Sequence, residues 1–278
     1  MDVEVPLGAG ALAGTLTLPT RTARGALVLL HGLASTRHEF ADAGDRLAAK
    51  GWITLAIDSR AHGRAAALDG TADPDLAIED LGAAAQFLVA EKHWSGSLGL
   101  VGHSMGAALA CRALPRLAQF RAAALVAPSD SVEGEISAAE MLGYRIGNAL
   151  NVGASKLGAR PMRVPYKFRY EDLYVDPEAA ARARKAGFLA THVSLANYAA
   201  LLSVQGARWA RDVKAPTLVV LCTRDTAVKP TSSRRVYEGL AGPKRLVEIE
   251  SGHSAFGDVR AEELSFVLDG WFRESLGA

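Results

Sequence analysis

Nearly continuous apolar runs limit what this chain can fold into more than any other feature. They are "ALVLLHG" at 26–32, "WITLAID" at 52–58, "LGLVG" at 98–102, "AAALVAP" at 122–128 and "PTLVVLC" at 216–222. A strand with one wet face alternates polar and apolar residues, whereas runs without alternation suit strands covered on both faces. Helix-spaced segments lie between them: Phe40, Ala43 and Leu47 mark one over 39–50 that stops at Gly51, and another spans about 76–91. Strand followed by helix, repeated, predicts a parallel sheet with right-handed crossovers, an α/β fold whose mostly parallel sheet is flanked by helices. The alternating "GTLTL" at 14–18 reads as an edge strand, "KRLVEIE" at 244–250 as the last strand, and "EELSFVLDGWFRES" as a closing helix.

The rhythm breaks between 129 and 212. This stretch holds "SAAEMLGYRIGNAL", the Pro- and Arg-rich "GARPMRVPYKFRY", and two more helix-like runs, "DPEAAARARKAG" and "HVSLANYAALLSV". It reads as a helical cap inserted between core strands, with a first core part over 1–128, the cap over 129–212 and a second core part over 213–278. Residues 145–214 carry a net charge of +7 and the remainder −6. That asymmetry suits either a solvated helical surface or attraction of an anionic substrate or lipid surface.

With 278 residues the chain can bury an ample core, and a net charge of +1 gives no reason to expect a nucleic-acid partner. The opening "MDVEVPLGAG" has neither a basic nor an apolar leader region, and the apolar runs are too short to span a bilayer. The expectation is therefore a cytoplasmic protein with no stable membrane insertion, although transient contact with a lipid surface stays open. Cys111 and Cys222 sit in separate apolar segments and read as buried free thiols.

Between the run at 98–102 and a helix-like run from about 105 to 114 stands "GHSMG", which fits G-x-S-x-G. In a chain this rich in glycine and serine, on the order of 0.2 such strings arise by chance, so context decides. A serine hydroxyl attacks a carbonyl only if it stands clear of its own backbone and a base removes its proton. A sharp strand-to-helix turn meets the first need at Ser104, with Gly102 and Gly106 leaving space where a Cβ would collide. The helix start supplies the Met105 N–H to a developing oxyanion, and the loop "LLHGLAST" after an early strand can aim the Leu33 N–H at the same oxygen.

The base must be one of seven histidines: His31, His38, His62, His93, His103, His192 and His253. His253, in "ESGHSAF", directly follows the last expected strand, at the sheet end where open parallel sheets bind ligands. His103 adjoins the serine, where neighbouring side chains diverge; His31 and His62 read as loop-ordering residues. Asp225, just past the strand at 216–222, is the favoured acid to orient His253, and Asp130 is the competing candidate.

Taken together, "HGLAST", "DSRAHGRA", "GHSMGA", "TRDTAV" and "SGHSAF" make the chain resemble the α/β-hydrolase superfamily, in particular its capped esterase, monoacylglycerol lipase and lysophospholipase-like branch. It departs from that pattern at Ala61 and Ala107, where the family usually has glycine. The resemblance implies no metal and no organic cofactor, and Ser104 argues against the epoxide hydrolases and haloalkane dehalogenases that place aspartate there. The reading is a serine hydrolase that cleaves a small-molecule acyl ester through Ser104, His253 and Asp225 and an acyl-enzyme. An acyl-thioesterase and a catalytically silent ligand-binding relative remain the alternatives. Substrate choice would rest on which of Met141, Leu142, Tyr144, Phe168, Tyr170, Phe188 and Tyr198 face inward.

Overall fold

The apolar runs become the middle of an eight-stranded sheet in the computed structural model, which describes residues 1–8, 10–60, 62–64, 74–91, 94, 96–131, 137–157 and 162–277. Its strands are β1 (Asp2–Leu7), β2 (Gly10–Thr17), β3 (Gly25–Leu30), β4 (Trp52–Ile57), β5 (Leu98–His103), β6 (Phe120–Val126), β9 (Thr217–Cys222) and β10 (Lys244–Ile249). A short antiparallel ribbon, β7 (Arg163–Pro165) with β8 (His192–Ser194), stands apart. The sheet order is β1-β2-β4-β3-β5-β6-β9-β10. All pairings are parallel except β1 with β2 and β2 with β4. Every residue of β3, β4, β5 and β9 is buried, as unbroken apolar runs require.

The strand read at 14–18 is not the edge, because β1 pairs outside it with Val3 opposite Gly14 and Val5 opposite Leu12. Acidic residues and Pro6 hide β1 in the sequence. A residue with no N–H to give a ladder is tolerated on an outermost strand.

Helices cover both faces. α1 (Ala41–Ala49) and α10 (Ala261–Leu276) bury Leu47, Leu264, Leu268 and Phe272 against one face. α2 (Pro74–Ala90), α3 (Met105–Ala113), α8 (Gly206–Ala210) and α9 (Pro230–Gly239) cover the other. Between β6 and β9 the chain forms α4 (Ala138–Lys156), α5 (Tyr170–Leu173), α6 (Pro177–Ala186) and α7 (Leu195–Leu201) together with the ribbon. α4 packs on α7 through a stacked Tyr144–Tyr198 pair with centroids 5.0 Å apart. Among the described residues, no helix is long and apolar enough to cross a membrane.

The ends of β3 and β4 are tied by a buried ion pair. Arg37, in a 3-10 turn (Arg37–Phe40), places Nη1 2.7 Å from Asp58 Oδ2, and its N–H donates to Asp58 Oδ1 at 2.7 Å. The two side chains are only 3% and 0% exposed. A buried carboxylate that loses its cation keeps the desolvation penalty without the attraction. Arg37→Met is therefore expected to destabilise the fold by about 3–5 kcal/mol, read as a lowered urea midpoint with an unchanged m-value.

Candidate active site

β3, β5, β6, β9 and β10 end side by side, and the loops that carry the candidate residues leave from among those ends. At the end of β5, Ser104 takes φ 54° and ψ −120°, a left-handed conformation that L-residues rarely adopt. Its N–H donates to Val126 O at 2.9 Å, and its carbonyl accepts from Ala107 and Ala108 N–H in the first turn of α3. The flanking glycines are required by contact: a Cβ on Gly102 would stand 2.6 Å from Ala107 Cα, and one on Gly106 would overlap the carbonyl oxygens of Leu30 and His31. Ala107, where the resemblance has glycine, is fully buried behind this turn. Ala61 lies outside the described residues, as does His93.

The loop after β3 runs under the serine. A Cβ on Gly32 would come within 3.1 Å of Ser104 Cβ, and Ala34 turns the chain at φ 62°. His31 Nδ1–H donates to Gly32 O at 2.7 Å while its Nε2 accepts from Ser59 N–H at 3.1 Å, so the ring pins this loop to the one after β4. Among the described residues, no acceptor takes a hydrogen bond from the N–H of Leu33 or of Met105. These are two donors beside the cavity that holds the Ser104 hydroxyl.

His253, after β10, places Nδ1 2.7 Å from Asp225 Oδ2. Asp225 Oδ1 accepts from the N–H groups of Ala227 and Val228, both at 2.8 Å, which fixes the carboxylate plane. With Nδ1 so engaged, Nε2 is the nitrogen left to face a reacting group. Ser104, His253, Leu33 and Met105 line one cavity of about 290 Å³, with Asp225 behind the histidine.

The other candidates are engaged elsewhere. Asp130 accepts from Arg235 Nε at 2.6 Å and from Ala207 N–H at 3.0 Å, bracing α8 against α9. His62 packs edge-on against His31 with centroids 5.1 Å apart, and burial, helped by that ring, pushes it down to about 3, so it stays neutral. His38 and His192 do not line the cavity. Cys111 and Cys222 are free buried thiols, and burial pushes Cys111 up to about 12.

Tyr144, Phe168 and Tyr198 face the cavity, joined by Tyr166, Leu201 and Leu202; Glu140, Lys167, Thr226 and Lys229 also line it. Tyr166 sits in the Pro-rich piece, where no periodicity marks an inward face. Burial, then the neighbouring Tyr198, holds its phenol well above the usual range. Leu142 points outward at 58% exposure, and Tyr170 packs edge-on against Phe188 away from the cavity.

Three residues outside the expected triad and oxyanion donors complete the surroundings. Asp258 accepts from Gly252 N–H at 2.7 Å, Ser251 Oγ at 3.1 Å and Asp176 N–H at 3.0 Å, and also from Val175 N–H. Burial alone would raise its pKa, yet these backbone N–H groups outweigh that and hold the carboxyl below the usual range. Glu39 and His103 form a second buried acid–imidazole pair beside the first.

Over residues 21–259 the chain matches the family model described as serine aminopeptidase, S33. No protein of curated function matches it in sequence. Solved structures with the same fold include a monoacylglycerol lipase from Paleococcus ferrophilus, with TM-score 0.79, 19% identity, and 94% of this chain and 97% of that one covered. A structure of DcsB with its substrate analogue superposes with TM-score 0.84 at 19% identity, covering 99% of both chains. An esterase from Exiguobacterium antarcticum gives TM-score 0.74 at 17% identity, covering 98% of this chain and 99% of that one.

Removing the Asp258 carboxylate strands backbone donors in both the histidine loop and the turn before α6. Asp258→Ala is expected to lower stability at pH 7 by about 2–3 kcal/mol, measured by urea denaturation. Because the folded pKa is depressed, this contribution is present above the ordinary carboxylate value of about 3.9 and is lost as pH falls below it. The gap between wild type and variant should therefore close on acidification below about pH 4.

Proposed function

The chain belongs to the serine aminopeptidase S33 family of α/β-hydrolases, and on that footing we propose that it is a serine hydrolase cleaving the carboxylic ester of a small-molecule acyl substrate. The observation that carries this reading is the 2.7 Å contact of Asp225 with His253 Nδ1, which leaves Nε2 for a serine held at φ 54° in the same cavity. Ser104 Oγ attacks the carbonyl carbon and His253 Nε2 takes its proton. Asp225 holds the tautomer and stabilises the imidazolium. The N–H groups of Leu33 and Met105 hold the oxyanion, each donor contributing about 2.7–4 kcal/mol to the transition state. His253 returns the proton to the leaving alcohol, and water activated by the same imidazole cleaves the acyl-enzyme.

Within residues 129–212, α4 to α7 and the ribbon act in this reading as the cap that shelters the acyl group, while α8 packs on α3 and α9. Aromatic and leucine walls support an acyl chain as the bound moiety. Among the described residues lining the cavity, the one carboxylate is Glu140, on the exposed start of α4. Lys167 and Lys229 on the same wall favour one second reading, an acyl-thioesterase whose carrier brings phosphates.

A fluorophosphonate probe should label the wild type at Ser104 and leave Ser104→Ala unlabelled; a wild type that does not label while a known serine hydrolase does would refute the proposal. Across esters of graded acyl length and matched acyl-CoA thioesters, kcat/KM should favour the oxygen esters, and the reverse ranking would select the thioesterase. Since an imidazolium cannot accept the serine proton, kcat/KM should fall on acidification, and a profile flat from about pH 5 to 8 would remove His253 from the mechanism.

A further inference from the structure

A second buried acid–histidine pair lies directly behind the proposed catalytic one, and the proposed mechanism leaves it without a task. Glu39, in the 3-10 turn after the oxyanion loop, meets His103 Nδ1 through its carboxylate, and the opposite ring nitrogen, Nε2, donates to the main-chain carbonyl of His253 at 2.9 Å. The His103 and His253 rings lie 4.7 Å apart, and Phe256 closes the edge of His103 at 5.7 Å. The side chains of His103 and Glu39 are 3% and 4% exposed. Burying a separated charge pair is expensive unless its geometry is well satisfied, and an apolar pair of similar volume would often be at least as stable. The pair also touches an unusual set of places: the residue before Ser104, the backbone of His253, and the turn that follows Leu33.

We propose that Glu39 and His103 are positioning residues, a buried clamp that holds the His253 backbone, and through it the imidazole, in register with Ser104. The inference rests on the serine-hydrolase reading and deepens it. Both ring nitrogens of His103 face acceptors, one a carboxylate and the other a carbonyl, so the ring carries two N–H groups and is an imidazolium opposite a carboxylate. Burial opposes charge at both groups, yet each offsets it for the other: Glu39 is held below, and His103 above, the ordinary value. The titratable groups facing the pair are Asp225 beyond the His253 ring, His31 on the oxyanion loop, and the phenols of Tyr166 and Tyr174 toward Glu39. Of the clamp's two charges, the cation borders His253 directly, with only a carbonyl bond between them, and the anion lies across the His103 ring.

The test compares wild type, His103→Phe, His103→Gln and Glu39→Gln on an ester that the wild type turns over, with fluorophosphonate labelling rates and thermal unfolding read in parallel. His103→Phe loses the donor to the carbonyl, and kcat is expected to fall by about 10²-fold with KM little changed, the size typical of a displaced catalytic group. His103→Gln, whose amide can still donate to that carbonyl, recovers most of the loss. Glu39→Gln leaves the ring neutral but keeps its donor to the His253 carbonyl, so its loss in kcat is smaller than that of His103→Phe. Losses in both His103 variants that match each other and track only the folded fraction would overturn the clamp, as would a kcat for Glu39→Gln as low as that of His103→Phe. If His103→Phe does not fold, His103→Gln and Glu39→Gln decide: a kcat below about one tenth of wild type in His103→Gln, or none lost in Glu39→Gln at an unchanged folded fraction, would overturn the clamp. A wild type that labels and turns over no better than His103→Phe overturns the clamp alone; one that does neither overturns the hydrolase reading and the clamp with it.

Discussion

The closest packing at the site is backbone on backbone, where the first turn of α3 meets the end of β3. Gly106 lies so near the carbonyls of Leu30 and His31 that no side chain fits between them, and Gly102 lies equally close to Ala107 and the Gly106 carbonyl. This double approach forces the chain at Ser104 into the left-handed region and brings the start of α3 over the loop that carries Leu33. The donors proposed for the oxyanion come from opposite sides of this one contact. Their spacing is therefore set by main-chain atoms rather than by adjustable side chains, which is the kind of preorganisation that electrostatic catalysis needs.

Around this contact the loops at the sheet's edge are bound to each other by charged groups with little access to water. Asp58 holds Arg37 and also accepts from the N–H of Arg64, Glu39 holds His103, Asp225 holds His253, and Asp258 holds the histidine loop. Each of these carboxylates joins segments far apart in the chain, and most accept from backbone N–H as well as side chains. Hydrogen bonds to charged acceptors are directional and stronger than neutral ones, so they fix loop geometry where hydrophobic packing, which has no preferred direction, cannot.

The sheet was legible in the sequence because burial on both faces leaves an unbroken apolar run, as in β3, β4, β5 and β9. β1 was not, since its acids and Pro6 obscure a strand defined by what it pairs with. α9 was equally silent, burying Ser232, Ser233 and Val236 where a periodic apolar stripe would be expected. At the site, Gly102, Ser104, Asp225 and His253 could be picked out because sharp turns and strand ends demand particular residues. Glu39 and Asp258 could not. Their partners are a side chain 64 positions away in one case and backbone N–H groups 82 and 83 positions away in the other, and no local pattern encodes such pairings.

The proposed chemistry and most of the cavity wall come from two parts of the chain, and several hydrogen bonds join them. The core supplies Ser104, Asp225 and His253, while the segment between β6 and β9 supplies Tyr144, Tyr166, Phe168, Tyr198, Leu201 and Leu202 to the same cavity. Three joints sit against the proposed machinery itself. Ala190 N–H donates to Ala34 O at 2.7 Å beside the oxyanion loop, Ser254 N–H donates to Leu173 O at 3.0 Å beside His253, and Thr226 Oγ1 donates to Asp172 O at 2.8 Å beside Asp225. A displacement of the inserted segment is thereby passed to the oxyanion loop, the base and the acid together. On the proposed function, substrate fit above Ser104 and alignment below it are linked through these joints, so changes to the aromatic wall should act on kcat as well as on KM.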